Sequence, residues 1–120
     1  MSEIQIRRIF LQRDAEEIRP LQLNAPEFRK HYPQHDEWLR MAIREVVAGK
    51  RFAFGIYKTT FNEHGEPTIS LVGSIILKKE TYTHVAQLKN LYIKPDERER
   101  GYGRALFEAV EQFCLIPLHI

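Results

Sequence analysis

Apolar positions alternate with polar ones in several short stretches of the chain, which is the period of a β-strand. The pattern predicts a first strand over residues 4–10, two strands over 51–61 and 68–79, and a fourth over about 84–94. The residues between the second and third strands include Asn, Gly and Pro, which favours an antiparallel hairpin. The third strand carries apolar residues on both faces, as expected of a central strand covered by helices.

Helical spacing is clearest from Asp36 to Val47, where apolar residues recur every three or four positions, and Gly49 is expected to end that helix. A second helical pattern covers residues 105–114, and the residues after it, 115–120, can form one more short strand. The apolar side of each helix predicts packing against the sheet.

The region between the first strand and the main helix is less regular. Asp14, with Glu17 three residues later, matches a helix-capping pattern and predicts a short helix that Pro20 kinks or ends. Residues 24–34 are expected to form a loop or a bent helical connection. The order of elements predicts a single α/β domain over residues 1–120.

Composition narrows the class of protein more than its function. A chain of 120 residues forms one domain, and 43% hydrophobic and 28% charged residues are typical of a soluble globular protein. No apolar run approaches the roughly 20 residues of a membrane span, and the first residues lack a signal-peptide core, so we expect a cytoplasmic protein. Cys114 is the only cysteine, which excludes an internal disulfide.

The segment 98–104 is the strongest candidate for binding chemistry. It lies between a strand-like run that ends at Pro95 and the helical pattern that follows, and it contains Gly101 and Gly103. Glycine can adopt a positive φ and lets a ligand approach the backbone, while free N–H groups in the first turn of a helix point at that ligand. The segment therefore predicts a cradle for a phosphate or pyrophosphate.

Charged side chains do not select the ligand by themselves. Arg98, Arg100 and Arg104 could contact phosphate, but acidic residues at 96, 97 and 99 interleave with them and cancel much of the local field. Hydrogen bonds to a charged group are worth roughly 1.5–3 kcal/mol each, against about 0.3–1 kcal/mol for an exposed helix dipole. We therefore expect aligned main-chain amides to dominate.

Two common phosphate loops do not fit this segment. A dinucleotide fingerprint needs a small residue where Leu106 stands, and a mononucleotide loop needs a Gly-Lys-Ser/Thr ending that is absent. NAD or ATP bound in either of those ways is therefore not expected.

The spacing Arg-x-x-Gly-x-Gly at residues 98–103, preceded by Asn-Leu-Tyr-Ile-Lys-Pro at 90–95, resembles the acyl-CoA-binding motif of the GNAT superfamily of N-acyltransferases. The resemblance covers residues 4–114 and implies a mixed, mostly antiparallel central sheet flanked by helices. In that family acyl-CoA enters between the fourth and fifth strands, the backbone of the fourth strand pairs with the pantetheine arm, and the motif holds the pyrophosphate. The resemblance thus assigns acetyl-CoA binding to Leu91, Tyr92, Ile93, Arg98, Glu99, Arg100, Gly101, Tyr102, Gly103 and Arg104.

The implied activity is transfer of an acetyl or acyl group from acetyl-CoA to a primary amine of a small molecule, peptide or protein. One branch of the family uses a glutamate on the fourth strand as general base, and the matching residue here is Gln87, which cannot usefully accept a proton. Other members use a tyrosine that follows a fourth helix, beyond the end of this sequence. No catalytic residue is assigned, and the alternative is a CoA-binding module without catalysis.

Members of the family usually continue through a fourth helix and two more strands, so we expect the C-terminal portion of the fold to be missing. An unclosed sheet leaves main-chain groups unpaired along an edge. We expect a second copy of the chain, as a homodimer, or a partner chain to complete the sheet, or the chain to be a fragment. A nucleic-acid partner is not expected, because acids interleave with the arginines.

Other polar and aromatic residues have weaker interpretations. His31 and His35 have helical spacing, but Pro33 lies between them and no third ligand is evident, so no metal site is predicted. Trp38 with Tyr32 could line an acceptor pocket, although the apolar stripe favours a core position for Trp38.

Overall fold

A computed structural model of the protein describes residues 2–23, 34–79 and 86–118. Within these ranges the sheet contains four strands, all antiparallel to their neighbours, in the order β1-β2-β3-β4. The strands are β1 Ser2–Ile9, β2 Phe52–Phe61, β3 Pro67–Lys79 and β4 Ala86–Ile93. The predicted strands and the hairpin between β2 and β3 are confirmed, with ends that differ by one or two residues.

The described residues also form four α-helices. They are α1 Gln12–Ala15, α2 Ile18–Leu23, α3 His35–Val47 and α4 Tyr102–Leu118. A short 3-10 helix, Pro95–Glu97, joins β4 to the segment before α4. The main helix ends as predicted, because Gly49 adopts a φ of 81° two residues after α3.

The start of the first helix differs from the prediction. The helix begins at Gln12, where the Ala15 amide donates to the Leu11 carbonyl at 2.9 Å, so Asp14 lies inside the helix and caps nothing. The break between α1 and α2 precedes Pro20, which occupies the first turn of α2. The expectation that Pro20 ends a helix is wrong, because the N–H that proline lacks has no helical acceptor in a first turn.

The end of the chain also differs. Helix α4 continues through residues 115–118, where a strand was predicted. Extending an existing helix gains a hydrogen bond for each added residue that has an N–H, which here excludes Pro117, whereas a strand with no neighbouring strand gains none, so the helix prevails over local β preference. Residues 119–120, and the predicted loop over 24–33, lie outside the described ranges.

The sheet is covered on both faces. Helices α1, α2 and α3 pack on one face around the cluster Ile9, Ala15, Ile18, Leu39, Ala42, Ile43, Val46, Ala53 and Ile76. Helix α4 packs on the other face around Phe54, Ile56, Val72, Ile75, Leu77, Leu106 and Val110. Strand β3 contributes to both clusters, which confirms its prediction as a central strand. Within the described ranges no helix is both long enough and apolar enough to cross a membrane.

Candidate functional site

The outer edge of β4 carries main-chain groups that point away from the sheet. The Lys94 amide donates to the Val72 carbonyl of β3 at 2.9 Å, which sets the hydrogen-bonding parity of the strand. Because alternate residues of an antiparallel strand face its neighbour, Tyr92 also faces β3, whereas the N–H and C=O of Leu91 and Ile93 face outward. In the described part of the chain no strand lies beyond that edge. The main-chain groups of Leu91 and Ile93, which the family resemblance assigns to the acyl-donor arm, therefore lie along this edge.

Tyr92 and Arg98 are placed differently from these two residues. The Tyr92 side chain is 4% exposed, and its main chain is turned to β3. Arg98 folds back onto the strand, where its Nε donates to the outward carbonyl of Ile93 at 2.8 Å and its guanidinium lies 5.5 Å from the centroid of the Tyr92 ring. Arg98 thus ties the segment that follows β4 to the strand itself.

The turn between the 3-10 helix and α4 is bent by two residues with positive φ. Gly101 has a φ of 81°, which glycine adopts freely, and Glu99 has a φ of 64°, which is unfavourable for a residue with a Cβ. Backbone strain of this kind costs of order 1–3 kcal/mol and tends to persist at functional sites. The strained position at Glu99 is invisible to sequence reasoning, which singled out only the glycines.

The first turn of α4 has main-chain donors to offer. Its first internal hydrogen bond runs from the Ala105 amide to the Gly101 carbonyl at 3.0 Å. In the described part of the chain the amides of Tyr102, Gly103 and Arg104 have no main-chain acceptor, as is usual in the first turn of a helix. An anion could accept hydrogen bonds from these three donors, and the binding of one at this turn stays a prediction.

Gly103 leaves open space beside these amides. A Cβ built at Gly103 would approach only Leu91 Cδ2, at 4.0 Å, which is an ordinary contact. Packing within the protein therefore does not require glycine here, although glycine in a helix is unfavourable by roughly 0.5–1 kcal/mol relative to alanine. The same contact places the cradle directly next to the outward edge of β4.

One of the three acidic residues expected to weaken the cradle, Glu97, is neutralised by a lysine of β2. Both carboxylate oxygens of Glu97 accept from Lys58 Nζ of β2, at 2.8 and 3.1 Å, and the two side chains are 11% and 14% exposed. Arg100 Nε also lies 3.6 Å from Glu97. Lys58 was missed by sequence reasoning, because nothing local marks a lysine that meets its partner 39 residues later.

Arg104 lies on the outside of the cradle. Its side chain is 85% exposed and its Nε is 3.3 Å from Glu108 of the same helix. Exposed ion pairs of this kind contribute little to stability, so the Arg104 guanidinium can turn toward an incoming anion at small cost.

A cluster of neutral polar side chains supports β4 on the opposite face of the sheet. The buried amide of Gln22 in α2 exchanges two hydrogen bonds with the Asn90 amide, from Gln22 Nε2 to Asn90 Oδ1 at 2.5 Å and from Asn90 Nδ2 to Gln22 Oε1 at 3.1 Å. His35 Nε2 donates to the same Oε1 at 2.7 Å, and Ser74 Oγ of β3 lies 3.5 Å from Gln22 Nε2. Burial lowers the pKa of His35, which favours the neutral imidazole.

The remaining candidates are only partly covered by the structure. Trp38 packs against the helical core cluster and stacks on His35 with ring centroids 6.0 Å apart, which supports its core interpretation. The main chain of Gln87 pairs with Lys78 of β3. His31 and Tyr32 lie outside the described residues. Among the residues that are described, no three His, Cys, Asp or Glu side chains converge on a metal position.

Comparison with known proteins identifies a family. The acetyltransferase (GNAT) family model matches residues 16–115 of the chain. None of the curated proteins matches it significantly.

Solved structures show the same fold at low sequence identity. A protein from Desulfovibrio desulfuricans, described as a GNAT-family acetyltransferase, is 18% identical, with a TM-score of 0.71 over 96% of this chain and 68% of its own. PaiA N-acetyltransferase from Thermoplasma acidophilum, solved in complex with coenzyme A, is 19% identical, with a TM-score of 0.64 over 96% of this chain and 74% of its own. Ribosomal-protein-alanine N-acetyltransferase from Brucella melitensis is 22% identical, with a TM-score of 0.59 over 92% of this chain and 70% of its own.

Proposed function

The chain belongs to the GNAT family of acetyltransferases, and from that premise we propose that it transfers an acetyl or other acyl group from acetyl-CoA to a primary amine of a small molecule, peptide or protein. The observation that carries this proposal is the pair of neighbouring main-chain surfaces described above. Free amides of Tyr102, Gly103 and Arg104 suit the diphosphate of CoA, and the outward groups of Leu91 suit the amide-bearing pantetheine arm.

The free energies of the individual contacts favour the main-chain amides over the arginines as the main source of affinity for acetyl-CoA. Each amide bonded to a diphosphate oxygen contributes roughly 1.5–3 kcal/mol, whereas an exposed ion pair contributes about 0–1 kcal/mol. Arg98 is already bonded to the Ile93 carbonyl and Arg100 is held near Glu97. The open space at Gly103 lets the diphosphate approach the amides without meeting a side chain.

The chemistry follows from the thioester. A neutral amine nitrogen attacks the acyl carbon, the new C–N bond forms and the C–S bond breaks. The amine nitrogen loses a proton to a base or to water, and the CoA sulfur leaves as a thiolate that takes up a proton. We assign no residue of this chain to either proton transfer.

A second candidate is a CoA-binding module without turnover. It is favoured by Gln87, a neutral amide at the position on β4 where one branch of the family has a glutamate base. Homodimerisation, or a partner chain that supplies a strand beside β4, stays a prediction of this account.

One pair of measurements separates the two candidates. Titration calorimetry with acetyl-CoA, on the full chain at a known solution mass, is expected to show stoichiometric binding in both cases. Thiol release from acetyl-CoA in the presence of a panel of primary amines is expected only for the transferase. Binding without thiol release favours the module, and the absence of any binding contradicts both.

A further inference from the structure

Gln22 is a fully buried polar side chain with no role in the chemistry above. It lies near the end of α2 and touches α3 through His35, β3 through Ser74 and β4 through Asn90. A buried amide is unfavourable unless its donors and acceptor are paired, so its position depends on all of these elements at once.

Asn90 lies at an irregular place in β4. The register between β3 and β4 shifts between Ile76 and Leu77, which leaves Lys89 without a partner on β3. Such a bulge bends and twists the strand, and the direction of the next residues depends on how the bulge is held. Asn90 is the first residue after the bulge, and Leu91 follows it.

The contacts of Gln22 therefore act on β4, next to the outward main-chain groups of Leu91, and not on the cradle. No bond of Gln22 reaches residues 98–104 in the described part of the chain, where the anchor is instead the ion pair of Lys58 with Glu97. The two hydrogen bonds between Gln22 and Asn90 fix the Asn90 side chain on one face of β4. This also fixes the direction in which the main chain of Leu91 leaves the bulge.

We propose that Gln22 is a positioning residue for the acyl donor. Through Asn90 it holds β4 so that the outward main-chain groups of Leu91 are aligned with the pantetheine arm. This inference rests on the proposed function, because it names a residue that acts on the same donor site.

The test compares two ligands that share only the nucleotide part of the donor. Acetyl-CoA reaches both the cradle and the β4 edge, whereas 3′-phospho-ADP has no pantetheine arm and reaches only the cradle. The variant Gln22→Met keeps the side-chain volume and removes the hydrogen bonds. We expect it to weaken acetyl-CoA about tenfold, the loss of roughly one hydrogen bond, and to leave 3′-phospho-ADP affinity unchanged.

A double-mutant cycle tests whether Gln22 acts through Asn90. Asn90→Leu is expected to weaken acetyl-CoA as much as Gln22→Met does, and the double variant no more than either one. Gln12→Met makes the same substitution at an exposed glutamine and serves as the matched control. If Gln22→Met does not fold, Asn90→Leu alone still compares the two ligands.

Each outcome decides the inference. Equal weakening of both ligands by Gln22→Met, or additive losses in the double variant, overturns it and leaves Gln22 a structural residue. Wild-type protein that binds neither ligand contradicts the proposed function, and the positioning role is rejected with it. A loss of affinity for acetyl-CoA alone, with no further loss in the double variant, supports the inference.

Discussion

The 3-10 helix that follows β4 is anchored by charge, whereas the middle of β4 is anchored by neutral amides. Lys58 and Glu97 form a nearly buried ion pair under the cradle. Gln22 and Asn90 form a reciprocal amide pair on the opposite face of the sheet. Both pairs join residues that are distant in sequence. One holds β4, and the other holds the 3-10 helix that follows it.

The difference in chemistry leads to a difference in sensitivity. Removing one partner of the ion pair leaves an uncompensated buried charge, whereas removing one partner of the amide pair leaves an unpaired neutral amide, which is less unfavourable. The 3-10 helix that leads to the cradle is therefore expected to be the more fragile of the two regions.

The largest effect is expected at the charged anchor. Lys58→Met leaves Glu97 with one cationic neighbour among the described residues, Arg100 at 3.6 Å. Breaking a buried pair costs about 3–5 kcal/mol, and we expect the lower end of that range in the free energy of unfolding measured by urea denaturation. The double variant Lys58→Met/Glu97→Met removes both charges and should recover most of the loss. Equal destabilisation by the single and double variants would show that charge is not the cause.

Gly103 tests the cradle without disturbing its anchor. Gly103→Val is expected to abolish acetyl-CoA binding in calorimetry and to leave the circular dichroism spectrum nearly unchanged, because its branched side chain fills the open space beside the amides.

Gly103→Ala tests the same position, because it is expected to change stability and acetyl-CoA affinity in opposite directions. It should raise the free energy of unfolding by up to about 1 kcal/mol, since alanine is the better helix former, and at the same time weaken acetyl-CoA binding. Full affinity in Gly103→Val would rule out ligand approach at this position.

The polar cluster around Gln22, which includes His35, is expected to contribute less to the free energy of unfolding in mild acid. Burial lowers the pKa of His35 below its ordinary value of 6.5, opposed by the nearby carboxylate of Asp36. The unfolded chain therefore binds a proton more readily than the folded one. The contribution of His35 to stability is complete above pH 6.5 and is lost as pH falls from there through the lowered pKa.

The histidine variant provides the control for this pH effect. His35→Gln keeps an N–H donor for Gln22 and does not titrate, so its free energy of unfolding should change less than that of the wild type between pH 7.5 and 5 in urea titrations. Identical slopes in the two proteins would mean that His35 does not carry the effect.

The smallest effect is expected at the Tyr102 side chain. Only the main-chain amide of Tyr102 is proposed to bind the donor, so Tyr102→Phe should change acetyl-CoA affinity by less than about twofold, within the range of a neutral surface substitution. A large loss would give the phenol a role in the site.

The sequence predicted the elements whose signals are local. The apolar stripe from Asp36 to Val47 and the alternation in β2 and β3 needed no information from elsewhere in the chain, and the Gly101 turn was visible as a motif. Pro20 and residues 115–118 were misassigned because position within a helix, which local preference does not encode, decides their conformation.

The anchors of β4 could not be predicted in this way. Gln22 meets Asn90 across 68 residues, and Lys58 meets Glu97 across 39. Each is an ordinary polar residue in its own segment, and only the folded sheet brings the partners together. The same reason explains why the acids around the cradle seemed to cancel its arginines, whereas Glu97 is neutralised from β2.

Amide hydrogen exchange of residues 102–104, measured with and without saturating acetyl-CoA, tests the central claim most directly. If these main-chain donors bind the diphosphate, their exchange should slow strongly in the complex, while that of exposed amides such as His64 stays unchanged. Unchanged exchange at 102–104 in a protein that does bind acetyl-CoA would contradict the claim that the main chain of this turn holds the donor.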